Sequence, residues 1–370
     1  MADDTKTIKA TCLCGAAAHH LTLPTSAFPL PVELCHCTSC RRLTGTLFLS
    51  VAFLPPSYEP SKDLLDKLVG FDFTRRIIQY HCKKCGSIML ARGVDDPDKA
   101  QPSVTWDVST GTLVNWDGVL ELKCNGFVPD TIDGGFTHFM PKIDGKEIGS
   151  WVTKPEKSEK LPLYWRDQEA PSKGTASPSD RLHAHCKCKG VKFWISRPTG
   201  ESKQARSNWP DLIVPFHTGS SDNPDNEPWW LCANGTKYLA GTCVCNSCRL
   251  VSGMEVVQWA FIPKANLSLD AEGKVPYKPS FGTLDTYRSS EGVDRHFCTG
   301  CGAMVFYTAE DRSELLDVAI GLLDAPEGSR AENWLEWRTD RVSYREDAID
   351  RAGSLVTALE KGLKAFKQSE

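Results

Sequence analysis

The sequence predicts a mainly β protein made of two similar domains and closed by one amphipathic helix. Three observations carry this prediction. One set of cysteine motifs occurs twice in the same order, most apolar stretches are short runs bounded by turn residues, and a sustained three- and four-residue period appears only near the end. At 370 residues the chain also exceeds the usual size of one compact core, so two domains of roughly 150 to 200 residues are the natural division. The expected boundaries are a first domain over 1–163, a linker over 164–181 and a second domain over 182–370.

In the first half, CLC carries Cys12 and Cys14, CHCTSC carries Cys35, Cys37 and Cys40, and CKKCG carries Cys82 and Cys85. The second half repeats the order with Cys186 and Cys188, then Cys243, Cys245 and Cys248, then Cys298 and Cys301. Between these motifs, Leu47 to Leu54, Arg75 to Tyr80 and Ser87 to Ala91 read as strands, as do Val256 to Ile262, Leu284 to Arg288 and Ala303 to Thr308. Tyr164 to Arg181 is rich in Pro, Ser, Gly and charge and has no apolar period, which marks a linker. Ile349, Ala352, Leu355, Val356, Leu359, Leu363 and Phe366 fall on one helical face. The span between the first two motifs runs from position 14 to 35 in the first half and from 188 to 243 in the second. The second half thus carries about 34 extra residues, at about 197–235, with Trp209, Trp229, Trp230 and several prolines. Such a segment is either a lid or binding loop, or packing between the halves.

A hydrophobic fraction of 41% and a charged fraction of 24% are those of a folded globular chain. A net charge of -4 gives no general electrostatic reason to bind nucleic acid or an anionic membrane. The N-terminus lacks the basic-then-apolar order of a secretory signal, and no apolar run approaches the roughly 18 to 20 residues of a membrane span. A reducing, cytoplasmic setting is therefore expected, in which sixteen cysteines serve metal binding or chemistry more readily than disulfides.

Two cysteines one or two residues apart turn their sulfurs to one side, and CxC plus CxxC supplies the four ligands of a closed tetrahedral zinc site. Cys12, Cys14, Cys82 and Cys85 form one such set and Cys186, Cys188, Cys298 and Cys301 the other. Each ties the start of its domain to the middle, as a structural staple does. CxCxxC leaves three thiolates and a vacancy, the arrangement of a reactive zinc. Three thiolates bring the ion to a net charge near −1, which makes it a weak Lewis acid and suits it to an exchangeable sulfur ligand. Closure of the trio by His81, His138 or Cys124, as a structural site, is the competing reading. A redox role for CKKC and CTGC lacks a surrounding βαβ pattern, and iron or an iron–sulfur cluster is the chemical alternative to zinc.

At these residues the sequence resembles the glutathione-dependent formaldehyde-activating enzyme family, which includes centromere protein V. The resemblance rests on CLCG at Cys12 to Gly15, CHCTSCR at Cys35 to Arg41 with Gly45, and HCKKCG at His81 to Gly86. It rests equally on CKCKG at Cys186 to Gly190, CVCNSCR at Cys243 to Arg249 with Gly253, and FCTGCG at Phe297 to Gly302. The resemblance implies two β-tent domains of small twisted antiparallel sheets. It also implies up to four zinc ions per chain, two structural and two more labile at CxCxxC. The implied activity is that of a carbon–sulfur lyase, joining glutathione to formaldehyde as S-hydroxymethylglutathione or running the reverse. Its partners would be a small thiol such as glutathione and a carbonyl compound. The catalytic candidates are then Cys35, Cys37, Cys40, Cys243, Cys245 and Cys248.

The halves depart from each other at informative positions. Val244 stands where the first half has His36, and His138, in a region where family members often carry a histidine, is matched in the second half only by ENWLEW. The first half is thus closer to the family pattern, and His138 is a candidate substrate contact. Arg41 and Arg249 follow the third thiolate, where each either binds a substrate carboxylate or pairs with a surface acid. Gly45 and Gly253 read as turn residues, and Cys124 and Cys232 as buried small apolar side chains. A non-catalytic protein-binding module, or recruitment to another small-molecule reaction, is the alternative function.

Overall fold

The structure, a computed structural model, describes residues 4–170, 177 and 179–369; part of the expected linker, 171–176 and 178, lies outside the described residues. The chain is mainly β, and the expected strand runs appear as Leu49–Phe53, Ile77–Cys82, Ile88–Val94, Val257–Pro263, Leu284–Ser290 and Met304–Ala309. The first half is built on a nine-stranded sheet that carries Leu30–Cys35 and Leu49–Phe53 near its centre and Ile77–Cys82 toward one edge. The second half repeats this on an eight-stranded sheet around Lys237–Cys243, Val257–Pro263 and Leu315–Ala319. Pairing is antiparallel except at a few positions, such as Leu30–Cys35 beside Leu120–Gly126. Smaller antiparallel pieces flank each large sheet, Thr5–Ala10 with His19–Pro24 in one half and Arg181–His185 with Lys192–Ser196 in the other. The CxC motif of each half sits in the turn of its small hairpin.

The halves pack face to face with reciprocal contacts. Gly111 N–H donates to Gly253 O at 2.9 Å, and at the equivalent place Gly321 N–H donates to Gly45 O at 3.0 Å. One contiguous set of buried residues runs through both halves, from Leu21 and Phe48 to Val256 and Leu322. Arg42 crosses the same interface to pair with Asp324 at 2.5 Å and to donate to His185.

The predicted terminal helix spans Ile349–Ser369, with a break in helical geometry at Ala352. Leu355, Val356, Leu359, Leu363 and Phe366 are buried, as the period requires. Although it follows the second half in sequence, the helix lies against the first. Trp116 and Asp117 donate their N–H groups to Arg351 O, and Phe366 meets Phe139 edge-on at 5.1 Å. No helix among the described residues is long and apolar enough to cross a membrane.

The extra segment of the second half lies on that half's own sheet. Ala205, Leu212, Trp229 and Trp230 form a separate buried cluster with Leu239, Phe261 and Leu315. Trp230 Nε1–H donates to Ser202 O at 2.9 Å and Trp229 Nε1–H to Asn208 O at 3.0 Å, so the tryptophans bind the segment to itself.

Candidate functional site

Each CxCxxC motif bridges the end of a strand and a short helix. Cys35 ends the strand Leu30–Cys35, Cys37 caps the helix Thr38–Thr44, and Gly45 ends it at φ 78°. In the second half Cys243, Cys245, the helix Asn246–Ser252 and Gly253, at φ 77°, do the same. The cap is a sulfur in both cases, since Cys37 Sγ accepts from Cys40 N–H and Cys245 Sγ from Cys248 N–H, each at 3.3 Å. A left-handed glycine is the ordinary helix stop, because a side chain there would be strained. Within each trio the three Sγ atoms lie within 4.8 Å of one another.

The CxC and CxxC pairs converge as well. Cys14 Sγ lies 3.5 Å from Cys12 Sγ and 3.6 Å from Cys82 Sγ, and Cys188 Sγ lies 3.5 Å from Cys186 Sγ and 3.4 Å from Cys298 Sγ. Zinc at about 2.3 Å from each sulfur would set tetrahedral sulfurs about 3.8 Å apart, so the spacing fits. Backbone N–H groups point at these sulfurs, Ala17 at Cys12 and Val191 at Cys186, both at 3.3 Å, as they would at thiolates. All four clusters could hold a metal ion. A fifth set, His183, His185 and Asp324, is also close together, but Arg42 already donates to His185 and to Asp324.

The surroundings of the two trios differ. A cavity of about 610 Å³ opens on Cys243, Cys245 and Cys248 and is walled by the extra segment through Trp209, Asp211 and Phe216. Asp211 holds that wall in place. Its carboxylate accepts from Phe216 N–H and Tyr344 N–H at 2.7 Å, and from Ser343 Oγ–H and Arg341 at 3.0 Å. The segment Ser343–Tyr344 in turn pairs with Cys243, so the insertion is anchored directly beside the trio. The extra segment thus both lines the cavity beside the trio and packs on its own half's sheet. A second cavity, of about 370 Å³, lies at Lys237 and Glu332–Asp340 and reaches neither trio.

Arg295 is the cationic group at the second trio. Its Nη1 donates to Cys248 Sγ at 3.2 Å, and its guanidinium carbon stands 4.4 Å from the centre of the Tyr307 ring. Burial opposes its charge, but the Cys248 and Cys245 thiolates outweigh burial and hold its pKa above the ordinary arginine value. Cys248 is held well below its usual range, first by Cys243 and Cys245 and then by Arg295. Arg312, also in the cavity wall, pairs with Asp317 at 2.8 Å. Burial, followed by Asp211, raises the Tyr344 hydroxyl, which therefore keeps its proton at neutral pH.

The other expected site residues lie elsewhere. Arg41 is buried, not a surface partner, and donates to Thr38 Oγ1 and Asp130 O at 3.3 Å. Arg249 is turned across the interface, its Nη1 donating to Gly111 O at 2.6 Å and Leu113 O at 3.0 Å. Its Nε donates to Asn246 Oδ1 at 3.0 Å, so the guanidinium ties the trio's helix to the first half. His138 is buried, donates from Nε2 to Trp165 O at 2.8 Å, and packs on Tyr164 and Phe366. It does not line the cavity at the second trio. His36 is a packing residue, fully buried, its Nε2–H on Asn125 Oδ1 at 3.0 Å and its pKa pushed down to about 4 by burial. Cys124 is buried and Cys232 half-buried, and neither joins a cluster. Sequence reasoning missed Arg295, Asp211, Tyr307, Arg312, Asp317 and Tyr344. Comparing the halves position by position was the available signal, since Arg295 and Gln79 both stand three residues before the CxxC motif.

A family profile described as glutathione-dependent formaldehyde-activating enzyme matches residues 7–121 and 231–338, once in each half. A stretch of 125 residues is 29% identical to a "Putative glutathione-dependent formaldehyde-activating enzyme" of Podospora anserina, covering 34% of this chain and 56% of that relative. The match thus spans little more than half of the relative's length. With the cysteine order doubled in sequence, the trios and four-cysteine sets doubled in space, and the profile matched twice, the chain belongs to the glutathione-dependent formaldehyde-activating enzyme family as a tandem duplication.

Proposed function

We propose that the protein is a zinc-dependent carbon–sulfur lyase or thiol-adduct enzyme that joins a small thiol such as glutathione to formaldehyde or a related carbonyl compound. The observation that carries this reading is the cavity on Cys243, Cys245 and Cys248, with buried cationic and aromatic walls. Family membership supports it. The two four-cysteine sets are the structural zinc sites and the two trios the exchangeable ones, up to four zinc ions in all.

When bound at a trio, zinc supplies a cationic centre that keeps a substrate sulfur deprotonated at neutral pH. That sulfur adds to the carbonyl carbon, the carbon–sulfur bond forms as the π pair moves to oxygen, and the oxygen takes a proton to give the hydroxyalkyl thioether. The reverse breaks the same bond. The chain contributes position and charge. Trp209 and Phe216 line the cavity, and Asp211 holds the Phe216 backbone in place. Tyr344, still protonated, is the wall donor suited to the oxygen on which negative charge develops.

The test is the exchange rate between free glutathione and its formaldehyde adduct, read by NMR with zinc-loaded protein. Acceleration is expected, with a loss of at least about 100-fold when Cys243, Cys245 and Cys248 are replaced together by serine in a protein that stays folded. An unchanged rate in that folded variant sinks the reading. So does the absence of acceleration across a panel of thiols and aldehydes, which would leave a zinc-stapled binding module.

A further inference from the structure

Arg295 and Gln79 occupy one position in the two halves, in the strands Val293–Cys298 and Ile77–Cys82 that lead into the CxxC motifs. Both side chains are buried, each 4% exposed. The exchange changes the charge beside the trio by one unit. Arg41 and Arg249 stand at equivalent positions, so they do not make the difference.

A buried guanidinium requires an anion. Asp317 is already paired with Arg312, and the contact Arg295 itself makes is with Cys248 Sγ. Three thiolates around a divalent ion would leave one negative unit in either half, and Arg295 adds a positive unit beside the second trio that the neutral Gln79 does not add beside the first. An incoming anionic sulfur therefore meets surroundings one charge unit more positive at Cys243, Cys245 and Cys248 than at Cys35, Cys37 and Cys40. The second centre also has unused polar groups beside it. Arg295 Nε, Arg312 Nη1 and Asp317 Oδ1 are buried without hydrogen-bond partners, and all three residues line the cavity.

We propose that Arg295 is the positioning residue that reserves capture of the substrate thiolate for the second half, while the first half's trio holds its metal without taking the thiol. This rests on the function proposed above. The thiol's proton leaves to solvent, and the sulfur arrives as an anion whose charge Arg295 offsets through Cys248.

The full-length protein with cobalt(II) in place of zinc tests this, because sulfur-to-cobalt absorption reports ligands directly. On titration with glutathione, one trio per wild-type chain is expected to respond. R295Q should weaken the midpoint by about 10- to 100-fold, the scale of one unit charge a few ångströms away at an intermediate dielectric, with the ligand-free spectrum and melting temperature kept. R295K should recover part of the loss, which a purely structural role would not predict for a side chain that stacks on Tyr307. Q79R should add a second thiol-responsive centre. A folded R295Q that titrates at the wild-type midpoint overturns the inference alone. If R295Q does not fold, Q79R decides, and the absence of a second responsive centre overturns it. A wild-type spectrum that ignores glutathione at both trios overturns the inference and the proposed function together.

Discussion

His138 illustrates how a buried side chain sets a pH dependence. Burial first, and the nearby Arg330 second, push its pKa down from 6.5 to about 4, while the Trp165 carbonyl keeps its Nε2–H satisfied. The unfolded chain binds this proton more readily, so the contribution of His138 is whole above pH 6.5 and is lost as the pH falls toward 4. At pH 5 the loss is about 2 kcal/mol. His138→Gln is expected to be less stable than wild type at pH 7.5, and the gap should narrow by about 2 kcal/mol at pH 5 in urea titrations. A gap independent of pH would mean that His138 is not held neutral by burial. At this scale the sequence made the cysteines legible, because metal spacing is local: two sulfurs one or two residues apart can reach one ion. It did not reveal what His138, Arg41 or Arg249 contact. Their partners, Trp165 O, Asp130 O and Gly111 O, are backbone atoms far along the chain, and a carbonyl leaves no mark in a sequence.

The terminal helix was readable as a helix from its apolar period, but not its docking place, since period reports a buried face and says nothing of what covers it. Two of its glycines separate these influences. A Cβ on Gly353 would meet Asp117 Oδ2 at 3.6 Å, an ordinary contact, whereas one on Gly362 would stand 2.1 Å from Phe139 O. Alanine favours a helix over glycine by about 1 kcal/mol. Gly353→Ala is therefore expected to be neutral or stabilising by up to that amount. Gly362→Ala should instead destabilise by about 1 to 3 kcal/mol, because the helix must move off the first half. Equilibrium unfolding of both variants checks the pair, and equal effects would place the helix elsewhere. The insertion posed the same difficulty. Its prolines and tryptophans announced an irregular, compact segment, while its place beside the trio depends on Asp211 capturing N–H groups about 130 residues away.

Across the whole molecule, the duplication works as a reciprocal pair rather than as two beads on a linker. Gly45 ends the first trio's helix against Met304 O, and Gly253 ends the second trio's helix against Ile88 O, a Cβ at either being 2.3 Å from that oxygen. Met304 and Ile88 each stand three residues after the last cysteine of a CxxC motif. The strand that follows the four-cysteine cluster of one half therefore packs against the end of the trio helix of the other. Gly45→Ala and Gly253→Ala should each cost about 3 kcal/mol or more, from left-handed backbone strain plus the clash with the opposite half. Gly15 has φ 76° but open space around it, so Gly15→Ala should show only the strain, about 1 kcal/mol. The decisive measurement is zinc release to a chelator, followed separately by cysteine labelling in each half. With Gly253→Ala, a change in the second half, release from Cys12, Cys14, Cys82 and Cys85 in the first should speed up as well. If only second-half cysteines become labelled faster, the halves do not brace each other and the reciprocal architecture has no energetic meaning.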